Sequence, residues 1–223
     1  IVGMLVEEAG NKWTAAFGEK NGRLGAMVFG NVQYEHIQFN EETLWTGEPH
    51  SYAHLGAYNS LAEIRDLLFN GKQEEAEELA MKEFMGVPLR QKAYQPFGDL
   101  YIEFPGHKKF TNYKRKLNIE KAICNTTYKV DGVTYMREVL ASFPHQIIAV
   151  NLTCDKDEAL NFFFRLDAEH AQKNISTKVG QQTLTVAIKD GVLHGMAQIK
   201  VDTDGEIITI DNKIKVTKAP RAT

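Results

Sequence analysis

Cysteine is scarce: the 223-residue chain carries only Cys124 and Cys154, which excludes a disulfide-rich scaffold. The two fall in segments that read as neighbouring strands, so a bridge and a pair of free thiols both fit the spacing, two buried free thiols being the simpler reading. Long hydrophobic runs are missing as well. Nothing approaches the roughly 18 apolar residues of a membrane span, and the opening Ile1-Val2-Gly3-Met4-Leu5-Val6-Glu7-Glu8 has neither the basic n-region nor the h-region of a signal peptide. An excess of one charge is also lacking. With a formal net charge of -3 and Lys and Arg scattered, the chain has no footprint for nucleic acid or an anionic membrane. The nearest basic cluster, Lys108-Lys109 and Lys114-Arg115-Lys116, is interrupted by Phe110-Thr111-Asn112-Tyr113 and reads as a solvated hairpin face.

Catalytic signatures are equally sparse. Gly22, Gly25 and Gly30 flank a strand rather than open a helix, so they do not form a phosphate or dinucleotide loop, which needs a helix amino terminus behind the glycines. His50 and His54 are four residues apart, but Pro49 and Gly56 bracket them in a loop with no acidic third ligand in register. No metal or cofactor is expected. There is no Gly-x-Ser-x-Gly elbow, and neither cysteine sits in a nucleophile motif. Glycoside hydrolysis needs two carboxyl groups flanking one bond. Glu41 and Glu42 are adjacent and would point to opposite faces of a strand, while Glu74, Glu75, Glu77 and Glu78 read as a solvated helix face. No catalytic acid/base pair is expected within the chain.

What the sequence does have is β patterning. Residues are 43% hydrophobic and 25% charged, ordinary globular usage, and short apolar/polar alternations predict half-buried antiparallel strands at 32–39, 100–104 and 146–152. Asp131-Gly132 and Asp190-Gly191 predict two-residue hairpin turns, because both dipeptides tolerate the positive φ of a type I′ turn. Asp204-Gly205 is a third, weaker candidate. The exception to the β pattern runs from Ser60 to Phe84, where Leu61, Ile64, Leu67 and Leu68, then Ala76, Leu79, Ala80 and Phe84, recur at helical spacing. Ser60 with Glu63 predicts a capping box, Asn70-Gly71 predicts the end of the first helix, and Asn70 with Gln73 predicts a cap for the second. The expected architecture is a large antiparallel β-sandwich of the supersandwich type with a short helical hairpin inserted at about 60–84. Ile214–Thr217 reads as a last strand, and 218–223 reads as a stretch lying inside a longer protein.

One constellation combines polar and aromatic groups as sugar sites do. Phe39-Asn40-Glu41-Glu42-Thr43-Leu44-Trp45-Thr46-Gly47-Glu48-Pro49 leaves a strand for a long loop, and Tyr94-Gln95-Pro96-Phe97-Gly98-Asp99-Leu100 returns from one. Asn40, Glu41, Glu42, Trp45 and Gln95 are the candidate substrate-binding or domain-interface residues. Trp45 fits either a sugar platform or a plug at the edge of the core.

At these residues the chain resembles a known family. Asn21-Gly22-Arg23-Leu24-Gly25-Ala26-Met27-Val28-Phe29-Gly30 and Glu35-His36-Ile37-Gln38-Phe39-Asn40-Glu41-Glu42-Thr43-Leu44-Trp45 resemble the opening of glycoside hydrolase family 95, the α-L-fucosidases. Glu77-Glu78-Leu79-Ala80, Phe84-Met85-Gly86-Val87-Pro88 and Tyr94 to Leu100 continue the likeness. The family's apolar-Pro-apolar-Gly lead-in is here Phe17-Gly18-Glu19-Lys20. The resemblance implies an amino-terminal β domain without catalytic residues, packed on an (α/α)6 barrel that holds the acid and base of an inverting hydrolysis. It also implies export to the periplasm or the extracellular space and a fucosylated or galactosylated oligosaccharide as the sugar partner. An independent carbohydrate-binding module, with Trp45 as its platform, and an oligomerisation surface are the competing expectations.

Overall fold

The computed structural model describes residues 3–178 and 182–223. The chain divides into two compact units, Ile1–Leu44 with Gln95–Thr223, and Trp45–Tyr94. Among its described residues the regular elements of the first unit are β-strands, apart from one short 3-10 turn. Its six-stranded sheet runs β1 (Gly3–Val6), β6 (Thr111–Asn118), β7 (Ile123–Val130), β8 (Val133–Ser142), β9 (Ile147–Cys154), β16 (Arg221–Ala222). The seven-stranded sheet runs β14 (Glu206–Ile210), β15 (Lys213–Ala219), β10 (Leu160–Asp167), β5 (Gly98–Glu103), β4 (Tyr34–Glu41), β3 (Leu24–Val28), β2 (Phe17–Lys20). A three-stranded sheet runs β11 (Lys173–Lys178), β12 (Thr183–Ile188), β13 (Gly195–Lys200). The ladders are antiparallel, as the alternating pattern predicts. In β7 every second residue, Cys124, Thr126, Tyr128 and Val130, is buried. In β10 the same period buries Leu160, Phe162, Phe164 and Leu166. These inner faces belong to one core cluster, in which burying each large apolar side chain is worth about 1.5–3 kcal/mol.

Two hairpin turns differ from expectation and one conforms. Asp131 (φ 48°) and Gly132 (φ 83°) both take positive φ, and Val130 faces Val133 across the turn. Asp190-Gly191 does not join paired strands directly, since Ile188 pairs with Gly195 and Val192-Leu193 lie in the connection. The Asp190 carboxylate instead accepts from the amides of Ala171 and Gln172, drawing the connection away from a tight turn. Asp204-Gly205 lies between strands of different sheets, with Asp204 paired to Arg221. The tight turn nearby is Asp211-Asn212, with Asp211 at φ 50° and Ile210 facing Lys213.

Cys124 and Cys154 are both free, in line with the simpler reading, but they lie on β7 and β9 with β8 between them rather than on neighbouring strands, too far apart in the sheet for a bridge, and Cys154 is only half-buried. The basic cluster is corrected at one residue. Arg115 is not solvated: it is 2% exposed, donates to the Phe29 carbonyl at 2.8 Å and lies 4.2 Å over the Phe17 ring. Beyond the last strand predicted at 214–217, the chain adds β16, which pairs with β9 through Arg221–Thr153 and Ala222–Leu152.

The second unit contains α1 (Leu61–Phe69) and α2 (Gln73–Glu83), within the predicted 60–84 hairpin. Gly71 (φ 72°) donates to the Leu68 carbonyl and Lys72 to that of Leu67, a Schellman closure that ends α1 where Asn70-Gly71 predicts. The caps themselves differ. Ser60 is already helical (φ -85°, ψ -10°) behind the 3-10 turn Ala57–Ser60, so its hydroxyl points back to the Ala57 carbonyl at 2.8 Å instead of capping α1. Asn70 donates to the Asp66 carbonyl, and α2 begins after Lys72 without a side-chain cap.

Candidate functional site

The candidate residues cluster where β4 ends and where the chain re-enters β5. Asn40 Oδ1 accepts from the Phe97 amide at 2.7 Å, and the Gln95 amide donates to the Leu44 carbonyl at 3.0 Å. The leaving and returning segments of the β unit are thereby tied together. Glu41 accepts from Arg23 Nε at 2.7 Å, from Thr43 Oγ1 at 2.6 Å and from the Thr43 amide at 2.9 Å. Partial burial pushes its carboxyl up, but the hydrogen bonds from Thr43 and Arg23 outweigh that and hold it below the usual range. Glu41 is therefore a carboxylate at neutral pH. The Glu42 amide donates to the Arg23 carbonyl at 3.0 Å, and the side chain is exposed. Gln95 is 6% exposed, and its Oε1 is buried.

Trp45 belongs to the other unit. It forms an isolated antiparallel bridge with Tyr94, and the two rings meet edge-on at 5.2 Å. The Thr46 amide donates to the Ala93 carbonyl at 2.9 Å, extending the pairing at the base of the 45–94 excursion. Of the five candidates, Asn40, Glu41, Glu42 and Gln95 share the β unit.

Histidine contacts are internal. His50 Nδ1 lies 3.2 Å from the Glu48 carbonyl and His54 Nδ1 lies 2.9 Å from that of Met85, so each ring has a backbone partner. His36 Nε2 lies 2.6 Å from Asp99 Oδ1, with the ring stacked between Phe29 and Tyr101 at 4.5 and 4.7 Å. His107 lies 3.0 Å from the Tyr128 hydroxyl, and burial, aided by Arg137, pushes it down to about 4. Among the described residues no cluster of three His, Cys, Asp or Glu side chains forms a metal site, and no helix is long and apolar enough to cross a membrane.

The sequence did not point to a cleft of about 570 Å³ within the β unit. Ile37, Phe39, Phe162 and Phe164 of the seven-stranded sheet line it, facing β9 and β13, and Asn40 and Glu41 contribute to its wall. Its one sequence signal is the run Ile147-Ile148-Ala149-Val150, which is apolar on both faces of β9 and leaves Ile147 50% exposed.

Similarity to known proteins follows this architecture. Alpha-L-fucosidase 2 of Arabidopsis thaliana is 38% identical over 173 residues, covering 76% of this chain and 20% of that protein. Probable alpha-fucosidase A of Aspergillus oryzae is 25% identical over 185 residues, covering 79% of this chain and 25% of that protein. Probable alpha-fucosidase A of Aspergillus niger is 28% identical over 149 residues, 63% of this chain and 18% of that protein. The chain thus spans about a fifth to a quarter of the length of these relatives. Residues 4–223 match the family described as glycosyl hydrolase family 65, N-terminal domain, and a match over nearly the whole β-rich chain means that it belongs to that family of glycoside hydrolase amino-terminal domains.

Proposed function

We propose that this chain is the non-catalytic amino-terminal domain of an exported α-L-fucosidase of the family 95 type. In this reading it packs on a separate (α/α)6 catalytic barrel, and Asn40, Glu41, Glu42, Trp45 and Gln95 lie at the domain contact or rim the sugar pocket. The observation that carries the reading is the coincidence of a domain-family match across residues 4–223 with 38% identity to an α-L-fucosidase over 173 residues. The site chemistry supports it. Asn40 and Glu41 are committed to internal partners, which suits groups that hold a surface in shape rather than groups that exchange protons with substrate. The purified chain is expected to leave 4-nitrophenyl α-L-fucoside unhydrolysed. Turnover by the chain alone would overturn the reading.

A second reading makes the chain an independent carbohydrate-binding module. It is favoured by the partly exposed Trp45–Tyr94 pair, since aromatic faces accept the C–H side of a sugar ring. Calorimetric titration with a fucosylated oligosaccharide separates the two: binding that disappears in Trp45→Ala supports the module, and no heat supports the scaffold.

A further inference from the structure

The apolar cleft lies between two strand edges that have compatible hydrogen-bond phases. On the six-stranded sheet, β16 covers β9 only at Leu152 and Thr153, and the Cys154 amide donates to the Pro220 carbonyl at 3.1 Å. Amides alternate along an antiparallel strand, so those of Val150 and Ile148 point to the same side as Cys154, beyond the end of β16. On the three-stranded sheet, β13 pairs with β12 on one side only. The Val201 amide donates to Gln182 on the β12 side, whereas Asp202 and Thr223 exchange both bonds at 2.7 and 2.8 Å. By the same alternation, the amides of Lys200 and Gln198 face the cleft. The end of the chain is therefore already held on both sides, Ala222 by Leu152 of β9, and Ala222 and Thr223 by Thr203 and Asp202, which follow β13.

The side chains agree with the bonds. Ala222 is buried and pairs with buried Leu152. Along β13, Met196, Gln198 and Lys200 are exposed, while Ala197 and Ile199 pack against the core. A strand in register with both edges must then turn every second residue, counted from Ala222, into the cleft.

We propose that the β9–β13 cleft is a strand slot, filled in the parent protein by an extended continuation of β16 that runs antiparallel to both neighbours. The first, third and fifth residues after Thr223 are apolar and enter the cleft; the first and third bond to Val150 and Ile148. The second and fourth face outward and bond to Lys200 and Gln198. The insertion joins the six- and three-stranded sheets into one and covers the side chains of Ile148, Val150 and Ile199. The proposal rests on backbone phase, on the side-chain alternation and on the reading of this chain as the amino-terminal part of a longer protein, and it is independent of the sugar-pocket reading.

The test lengthens the chain after Thr223 by about eight residues, a normal strand length, in two versions of equal composition. One alternates valine and threonine with valine at the odd positions, and the other exchanges them. Amide hydrogen exchange is followed at Ile148, Val150, Gln198 and Lys200. The odd-valine version is expected to slow these four amides by about tenfold or more, and the exchanged version to leave them at the rates of the unextended chain. Equal protection by both versions, or by neither, overturns the proposal. The same two octapeptides added in trans to the unmodified chain give a second reading should an extended protein aggregate, with the odd-valine peptide alone expected to protect.

Discussion

Arg137 of β8 donates to Glu35 of β4 at 2.7 Å, with the two side chains only 3% and 2% exposed, so an ion pair crosses the sandwich and joins its two large sheets. Arg137 also donates to the Asn31 and Val32 carbonyls and to the Tyr128 hydroxyl, and it lies 4.4 Å over the Phe104 ring. Glu35 accepts from the Gly30 and His36 amides at 2.7 and 3.0 Å. Burial pushes the Glu35 carboxyl up, and the Arg137 guanidinium and these amides pull it back. Arg137→Met strands a buried carboxyl and is expected to cost about 3–5 kcal/mol in urea unfolding. Adding Glu35→Leu to that variant is expected to recover part of the loss, since removing both charges also removes their desolvation cost.

Gly30 supplies one of those amides from a left-handed turn at φ 77°. A Cβ there would sit 2.6 Å from Arg115 Cδ and 2.8 Å from the Tyr113 hydroxyl, which itself donates to the Gly30 carbonyl. Arg115 is buried and Tyr113 half-buried, packed against the core. Gly30→Ala is expected to destabilise the chain by about 2 kcal/mol or more, measured as a fall in the urea midpoint with an unchanged slope.

Two buried groups give stability opposite pH slopes. Burial pushes Glu19 up to about 7 from 4.5. Between those values the folded state holds a proton that the unfolded state has lost, so stability falls as pH rises, by up to about 3 kcal/mol. His107 is pushed down to about 4 from 6.5. Over that window the unfolded state binds the proton, and stability falls as pH drops. The slopes oppose each other between pH 4.5 and 6.5. Glu19→Gln is expected to gain stability over the parent chain at pH 8 relative to pH 4, and His107→Asn to gain at pH 4 relative to pH 8, both read from urea unfolding.

Asn40 tests the tie between the leaving and returning segments. Asn40→Ala leaves the Phe97 amide without its 2.7 Å acceptor and is expected to cost about 1–2 kcal/mol, again in urea unfolding. A variant as stable as the parent chain would contradict an anchoring role.

The β pattern was legible because it is local: alternation in β7 and β10, and the Asp131-Gly132 turn, need no knowledge of distant residues. The same locality misled at Ser60, where a preceding 3-10 turn had already set the backbone helical, and at Asp190, whose carboxylate is taken by amides 18 and 19 residues away. The Glu35–Arg137 pair was illegible because its partners are 102 residues apart, and a charged residue in a strand reads as solvated until its partner is known. Of the candidate site, the clustering of Asn40, Glu41, Glu42 and Gln95 at one end of the β unit followed from the strand exit and re-entry. The partners that occupy Asn40 and Glu41 did not, because the Phe97 amide and Arg23 carry no sequence mark.

The central claim is that the carboxylates of this domain do no acid/base work. Its most direct test is the turnover of 4-nitrophenyl α-L-fucoside by the full-length parent protein carrying Glu41→Gln and Glu42→Gln together. The account expects kcat to stay within about tenfold of the unmodified protein. A fall of about a hundredfold or more, the loss expected on removing a general acid or base, would contradict it.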